Sequence, residues 1–445
     1  MNQALKSKVS NNSESSMEYS FLKLLCGSDP NITALNTIED WSFSSSFVLN
    51  TSQSCERMLL KCNFGGVEYN CTELFHPVIL DEGLCCTFNS LDQVYKFTNI
   101  SSKVFFNKTY PPNVKPVDWS LENGYLNPLP KYFSPMKAVG FGQTLGLNII
   151  LNVERDEYSC SSGKSIGFKV TVGNPEDEPN VHESGLLLGP GLESIIRIIP
   201  SHQEADQKLS VLSRKYRNCV FEREHKLSVF SHYSYLNCMY ECRTKTTLSI
   251  CGCVQPYMIT RYSNHTICSY KDYQCVQEIQ YLLKNKRFQI PCGQKCWIGC
   301  FLKKYKVDIF SANLKKSLME ESNTLFANVT DTYVKENIAI ANFYLQRYSY
   351  KSTKQSPYID SIDVLSSVGG LIGVFMGFSF ISFAEIIYFF CIRSRRLNTD
   401  RKIGNSERRP CALLANRPKT RFINPYKTPV YSLYQRNKFK SPRKM

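Results

Sequence analysis

The chain has 445 residues, 19 of them cysteine, and a formal net charge of +16. Of that charge +14 lies beyond Ile392, where 16 Lys and Arg face only Asp400 and Glu407, so the preceding residues are near neutral. A basic excess confined to one end argues against a nucleic-acid-binding face, and this cysteine density argues against a reducing compartment.

Residues 1–50 are polar and rich in Ser and Asn, with Phe21–Cys26 as one short apolar run. From 51 to 200 strand-like pieces alternate with turns. Gly140–Asn152 and Ser165–Gly173 carry the period-two apolar pattern of half-buried strands, and Asn174–Pro179 reads as a turn. Residues 204–300 change character, with helix-compatible patterns cross-linked by ten Cys. The pairs Cys251-x-Cys253 and Cys292-x3-Cys296-x3-Cys300 resemble zinc ligands. Zinc sites use C-x2-4-C pairs at set separations, often with His, but N-glycosylation sequons on both sides of these cysteines put the segment outside the cell, so disulfides are the expected state and no metal is expected. Residues 334–347 read as a returning strand. The residues before the apolar run are ample for a sizeable core, and no internal repeat is present.

Eight N-x-Ser/Thr sequons, at Asn11, Asn31, Asn50, Asn70, Asn99, Asn107, Asn264 and Asn328, precede residue 364 and none follows. Val364–Ile392 is a run of 29 residues with Glu385 as its one charge. As one helix it would measure about 43 Å, against roughly 30 Å for a bilayer's hydrocarbon core, so it must tilt or break. Gly369, Gly373 and Gly377 recur every four residues, and the plain reading is an anchor with a close-packing stripe. Ser379 and Glu385 oppose that reading, because an ionisable residue inside a span is a functional hypothesis. One-sided sequons put residues 1–363 outside. The basic residues 393–445 mark the cytoplasmic side, with contact to anionic lipid. That tail, rich in Pro, Arg and Lys, is expected to be disordered.

Gly369-Gly370-x-x-Gly373-x-Phe375-x-Gly377-x-Ser379 followed by Glu385 resembles the second transmembrane helix of the degenerin/epithelial sodium channel family. Glu82-Gly83-Leu84-Cys85-Cys86-Thr87-Phe88-Asn89 is similar to that family's G-x-C-Y-T-F-N element, with Cys86 where Tyr is usual. Glu157–Cys160 and the Pro190-Gly191 turn resemble palm landmarks of insect members, and the arrangement is most similar to the pickpocket branch. Arg217-Asn218-Cys219 and Cys238-x3-Cys242-x8-Cys251-x-Cys253 resemble the family's thumb.

The resemblance implies an α+β fold: a disulfide-rich extracellular domain with a β palm and a helical cysteine-rich thumb (204–305), on a transmembrane α-helix of a trimeric channel subunit. It implies the pairs Cys219–Cys300, Cys238–Cys296, Cys242–Cys292, Cys251–Cys275 and Cys253–Cys268, and a further pair from Cys62 and Cys71. It leaves Cys26, Cys55, Cys85, Cys86 and Cys160 unassigned, with Cys86 an extra thiol beside an unpartnered Cys85. Glycans are expected on Asn31, Asn50, Asn70, Asn99, Asn107, Asn264 and Asn328.

The implied function is a plasma-membrane cation channel that prefers sodium, is blocked by amiloride and is gated through the extracellular domain. It needs no cofactor and assembles as a homo- or heterotrimer with related subunits. Gly377, Phe378 and Ser379 would form the selectivity filter, where glycine permits extended backbone and freed carbonyls replace a cation's hydration shell. Three copies of Glu385 would form a carboxylate ring below it. In an unbroken helix Glu385 lies about 80° from the Gly377 stripe, and a break at the triplet resets that phase. Ser366, Gly369, Gly370 and Gly373 would line the pore or its gate.

Family members also carry an upstream first span and a palm strand. The resemblance therefore leads to the expectation that this chain is N-terminally truncated and does not conduct by itself. A single-span cysteine-rich receptor or adhesion protein without conduction is the alternative. An enzyme is not expected, because none of the six His sits in a G-x-S-x-G or H-E-x-x-H frame. His182, His202, His225, His232 and His265 are expected to be surface or packing residues.

Overall fold

The structure is a computed structural model describing residues 49–98, 110–126, 128–158, 164–258, 266–268, 272–284, 292–317, 326–359, 361–377 and 379–393. It divides into two units, Met1–Ser356 and Pro357–Lys444. Cys26, Cys160, Phe378, the sequons at Asn11, Asn31, Asn99, Asn107 and Asn264, and the tail beyond 393 lie outside the described residues.

The first unit is built on a seven-stranded sheet. Its strands are β1 (Leu59–Phe64), β2 (Val67–Tyr69), β3 (Leu147–Asn152), β4 (Leu192–Ala205), β5 (Leu302–Asn313), β6 (Ile338–Leu345) and β7 (Lys351–Gln355). The order is β5-β4-β6-β3-β1-β2, with β7 also on β4. Along β4 one edge is taken by β5, antiparallel from Leu192↔Asn313 to Gln203↔Leu302. The other edge is shared. β6 runs parallel to β4 from Glu193↔Ile340 to Ile198↔Leu345, and β7 runs parallel from Ser201↔Lys351 to Ala205↔Gln355. Pro200, which has no N–H to give a ladder, stands in the interval between them.

Alternation decides what this sheet buries. Leu147, Ile149 and Leu151 of β3 and Ala339, Ala341 and Phe343 of β6 pack with Leu59, Leu74, Phe75 and Ile196 in one core. Gly191, before β4, has φ +72 and donates its N–H to the Ile338 carbonyl. A Cβ there would stand 2.6 Å from the Lys335 carbonyl oxygen, so the turn admits glycine only. The period-two segments are shorter than their patterns. Gly140–Leu145 contributes a 3-10 turn over Gln143–Leu145, and the strand begins at Leu147. Ser165–Gly173 contributes Phe168–Val170, which pairs with Leu186–Leu188 outside the main sheet. The returning strand starts at Ile338, because Thr330 caps a helix over Asp331–Asn337.

Between β4 and β5 the chain makes its cysteine-rich excursion. Helix α1 (Tyr235–Cys251) starts at Ser234, whose hydroxyl accepts from the Asn237 N–H, and ends at Gly252 in the left-handed region. Its buried residues are Asn237, Cys238, Glu241, Thr244 and Thr247, a polar stripe. Disulfides take the place of an apolar face. Cys238–Cys296 and Cys242–Cys292 form rungs, Cys219–Cys300 closes the excursion, and Cys251–Cys275 and Cys253–Cys268 lie farther out. All five pairs, and Cys62–Cys71, agree with the expectation. Cys86 does not remain a thiol: it pairs with Cys55. Cys85 is the free cysteine among the described residues. Burial, with Asp81 and Glu82 nearby, pushes its thiol up to about 12 and leaves it unreactive at neutral pH.

Glu241 is the polar centre of this region. Its carboxylate accepts from the Ser228 hydroxyl (2.6 Å) and from the backbone N–H groups of Ser228, Val229 and Phe230 (3.0, 2.6 and 3.3 Å). Burial works against the charge, but the Ser228 and Val229 donors overcome it and hold the carboxyl below its usual range. Its stabilising effect is therefore present above the unfolded-state carboxylate range and lost as pH falls through the folded one. Glu241→Ala leaves buried backbone donors unpaired and should destabilise the first unit by about 2–4 kcal/mol, read as a lowered denaturation midpoint at neutral pH.

Candidate pore-forming segment

The apolar run of the second unit is two helices. Helix α2 (Ser361–Met376) ends at Gly377, which has φ +59. Ser379 is extended, at φ −110 and ψ 173, and opens α3 (Phe380–Ile387). The Ser379 hydroxyl accepts from the Ser382 N–H at 3.3 Å, and the Ser379 carbonyl accepts from the Phe383 N–H at 3.1 Å. No single described helix is long and apolar enough to cross a membrane, but Ile362–Phe375 and Phe380–Phe390 pass together as a pair bent by 82°. The run therefore breaks, and it does so at the expected triplet.

The local cause is capping chemistry. A glycine in the left-handed region after the last helical residue stops a helix, and a serine in extended backbone starts the next. A Cβ on Gly377 would meet nothing within 4 Å, so the demand for glycine is one of backbone dihedral, not of space. Where helices stop and start, backbone groups lose their intrahelical partners. In lipid such groups are tolerated only when buried in protein or facing a wet cavity. Ser366, Gly369, Gly370 and Gly373 all fall within α2, before the break. Ser366, Gly369 and Gly370 are exposed and Gly373 is half-buried. Glu385 lies on α3, after the break, and is exposed.

In the first unit, the turn at Asn174–Pro179 is held by the Asp177 N–H to the Asn174 carbonyl and carries three consecutive buried carboxylates, Glu176, Asp177 and Glu178. Lys96 pairs with Glu178 at 2.7 Å and donates to the Asp177 carbonyl at 3.0 Å. Asn237 of α1 accepts from the Glu178 N–H and donates to the Glu176 carbonyl, tying the turn to the thumb. Burial first, then neighbouring Asp177, raises the Glu176 carboxyl well above its usual range, and burial also raises Asp177. A raised carboxyl favours the folded state at low pH, and that contribution fades as pH rises. Glu176→Gln should therefore leave stability at neutral pH unchanged or raised by about 1 kcal/mol, opposite in sign to substitutions of Glu241, with the same denaturation measurement separating them.

Three sequons are described, and Asn50, Asn70 and Asn328 are all exposed. Asn70 Oδ1 accepts from the Thr72 N–H and hydroxyl at 3.2 and 3.0 Å, leaving Nδ2 out of that cap. Among the described residues no group of His, Cys, Asp and Glu could hold a metal ion. His182 stands 2.7 Å from Glu82 at the surface. His232 is different: both its ring nitrogens face carboxylates, those of Glu222 and Asp118. Asp118 is 114 residues away, so nothing local in sequence marks this group.

A family model described as amiloride-sensitive sodium channel matches residues 1–389. The chain is 32% identical over 448 residues to Pickpocket protein 28 of Drosophila melanogaster, covering 98% of this chain and 71% of that protein. It is 24% identical over 354 residues to the sodium channel protein Nach of the same fly, covering 79% and 61% respectively. Acid-sensing ion channel 4-B of Danio rerio is 24% identical over 346 residues, covering 76% of this chain and 52% of that protein.

Proposed function

The chain belongs to the amiloride-sensitive sodium channel family, whose members are ion channels and not enzymes, and from that premise we propose that it is a pore-forming subunit of a sodium-preferring, amiloride-sensitive cation channel gated through its extracellular domain. The observation that carries this reading is the interrupted span. A plain anchor gains nothing from a left-handed glycine followed by a helix-capping serine, whereas a pore gains unpaired carbonyls at membrane depth. The non-conducting receptor offers no reason for that break and is not favoured.

In the proposed assembly three subunits, identical or related, bring their Gly377-Phe378-Ser379 triplets together as the selectivity filter. Glu385 then supplies three carboxylates below it, and Ser366, Gly369, Gly370 and Gly373 line the gate above. The residues before the span lie outside the plasma membrane and carry glycans at the sequons named above, and the basic tail lies in the cytoplasm.

Two recordings test the reading in cells, with the chain expressed alone and beside a related subunit. A sodium current blocked by amiloride is expected, and surface protein that passes no such current in either setting refutes the proposal. Glu385→Gln should lower single-channel conductance at low sodium and approach wild type near 1 M salt, where the Debye length falls to about 3 Å. A deficit independent of salt would remove Glu385 from the conduction path. Ser366→Val should raise the resting current several-fold, because a larger group at three converging positions opposes the closed packing. Unchanged resting current with surface expression confirmed would remove Ser366 from the gate.

A further inference from the structure

Residues 110–126 and 128–136 form a strap of two small strand pairs, Lys115–Pro116 with Phe133–Ser134 and Trp119–Ser120 with Gly124–Tyr125. The strap is pinned at both ends. The Tyr110 hydroxyl donates to Asp92 Oδ2 at 3.0 Å, and the Asn89 side chain bonds both the N–H and the carbonyl of Met136. Among the described residues of its middle, the Leu121 N–H donates to Glu176 Oε2 at 3.1 Å. What holds the middle to the segment leading into α1 is a charged cluster. His232 Nδ1 lies 2.6 Å from Glu222 Oε1, and Nε2 lies 2.8 Å from Asp118 Oδ1 on the strap. Glu122 of the strap accepts the Glu222 N–H at 3.0 Å. The imidazole side chain is only 13% exposed.

A neutral imidazole has one donor nitrogen and one acceptor. Two ring nitrogens each facing an ionised carboxylate can both donate only as imidazolium, so the geometry itself selects the charged ring. The titratable groups facing it are Asp118 and Glu222, with buried Glu176 also nearby, and none of them is basic. We propose that Asp118, His232 and Glu222 form an alkaline-released latch that clasps the 110–136 strap to the base of the thumb. Burial alone would depress the imidazole, but bonding to Glu222 and Asp118 outweighs it and raises the group from 6.5 to about 9. A base whose folded value lies above its unfolded one stabilises fully below about 6.5, and that stabilisation is lost as pH rises through about 9. The latch is thus closed at neutral pH and opens in alkali.

Trypsin cleavage after Lys131 and Lys137 of the full-length chain reads the strap directly. Rates between pH 7 and 9.5 are divided by those of an unstructured peptide of the same sequence, which removes the protease's own pH dependence. In the wild-type chain the normalised rate should rise about tenfold with a midpoint near 9. In His232→Gln it should be high and flat throughout. In Glu222→Gln, with one carboxylate left, the midpoint should fall by about one unit. A flat wild-type profile overturns the proposal, as does the same rise in His232→Gln. Should His232→Gln also be cut within the palm at Lys303, and so be misfolded, the Glu222→Gln midpoint decides: an unchanged value overturns the latch.

Discussion

A fourteen-residue strand in the middle of a sheet must have its backbone groups partnered along both edges, and Leu192–Ala205 meets that demand with three strands that come later in the chain. β5 covers one edge in a single register, while β6 and β7 divide the other on either side of Pro200. The rest of the first unit follows. β4 leads out to the thumb and β5 leads back, so their pairing brings the two ends of the excursion together at Cys219 and Cys300. β6 presents Ala339, Ala341 and Phe343 to the core, and β7 hands the chain on to the apolar helices.

Within that frame the thumb is stabilised by means unlike those of the palm. The palm core is aliphatic and aromatic, and its strands bury alternate residues. The inward face of α1 is polar, and its neighbours are held by cystine rungs, by the Glu241 carboxylate and by Asn237 reaching to the acidic turn. Cross-links that restrict the unfolded chain reinforce there several small buried clusters, such as Val220 with Tyr233 and Val254 with Met258 and Ile267.

This contrast sets what was legible in the sequence. Length alone required the apolar run to tilt or break, and the resemblance put the break at the Gly377-Phe378-Ser379 triplet. The cystine ladder came through resemblance, and one bridge escaped it. Neighbouring residues of a strand point to opposite faces, so of the adjacent Cys85 and Cys86 only one could reach Cys55, and sequence spacing did not say which. Period-two patterns overran the real strands at Gly140–Leu145 and Ser165–Gly173, because left-handed glycines at 142 and 167 end the extended backbone that the pattern would continue. The helix preceding β6 was hidden by the apolar alternation of the strand behind it. The His232 cluster was out of reach, because its partners converge only once the strap has folded against the thumb.

The end-to-end placement of β6 and β7 on one edge of β4 has a mechanical meaning. Both run parallel to β4, and β7 is the last extended element before the chain enters the apolar helices. Tension drawn along the strand axis at Gln355 loads the five residue pairs from Ser201↔Lys351 to Ala205↔Gln355 together, in shear, and not one after another as in peeling. Because β4 continues through Pro200 into the stretch paired with β6, the same pull is passed along one continuous strand to the centre of the palm. The strand acts as a tie rod, carrying load between the base of the thumb and the sheet without needing a change in side-chain packing.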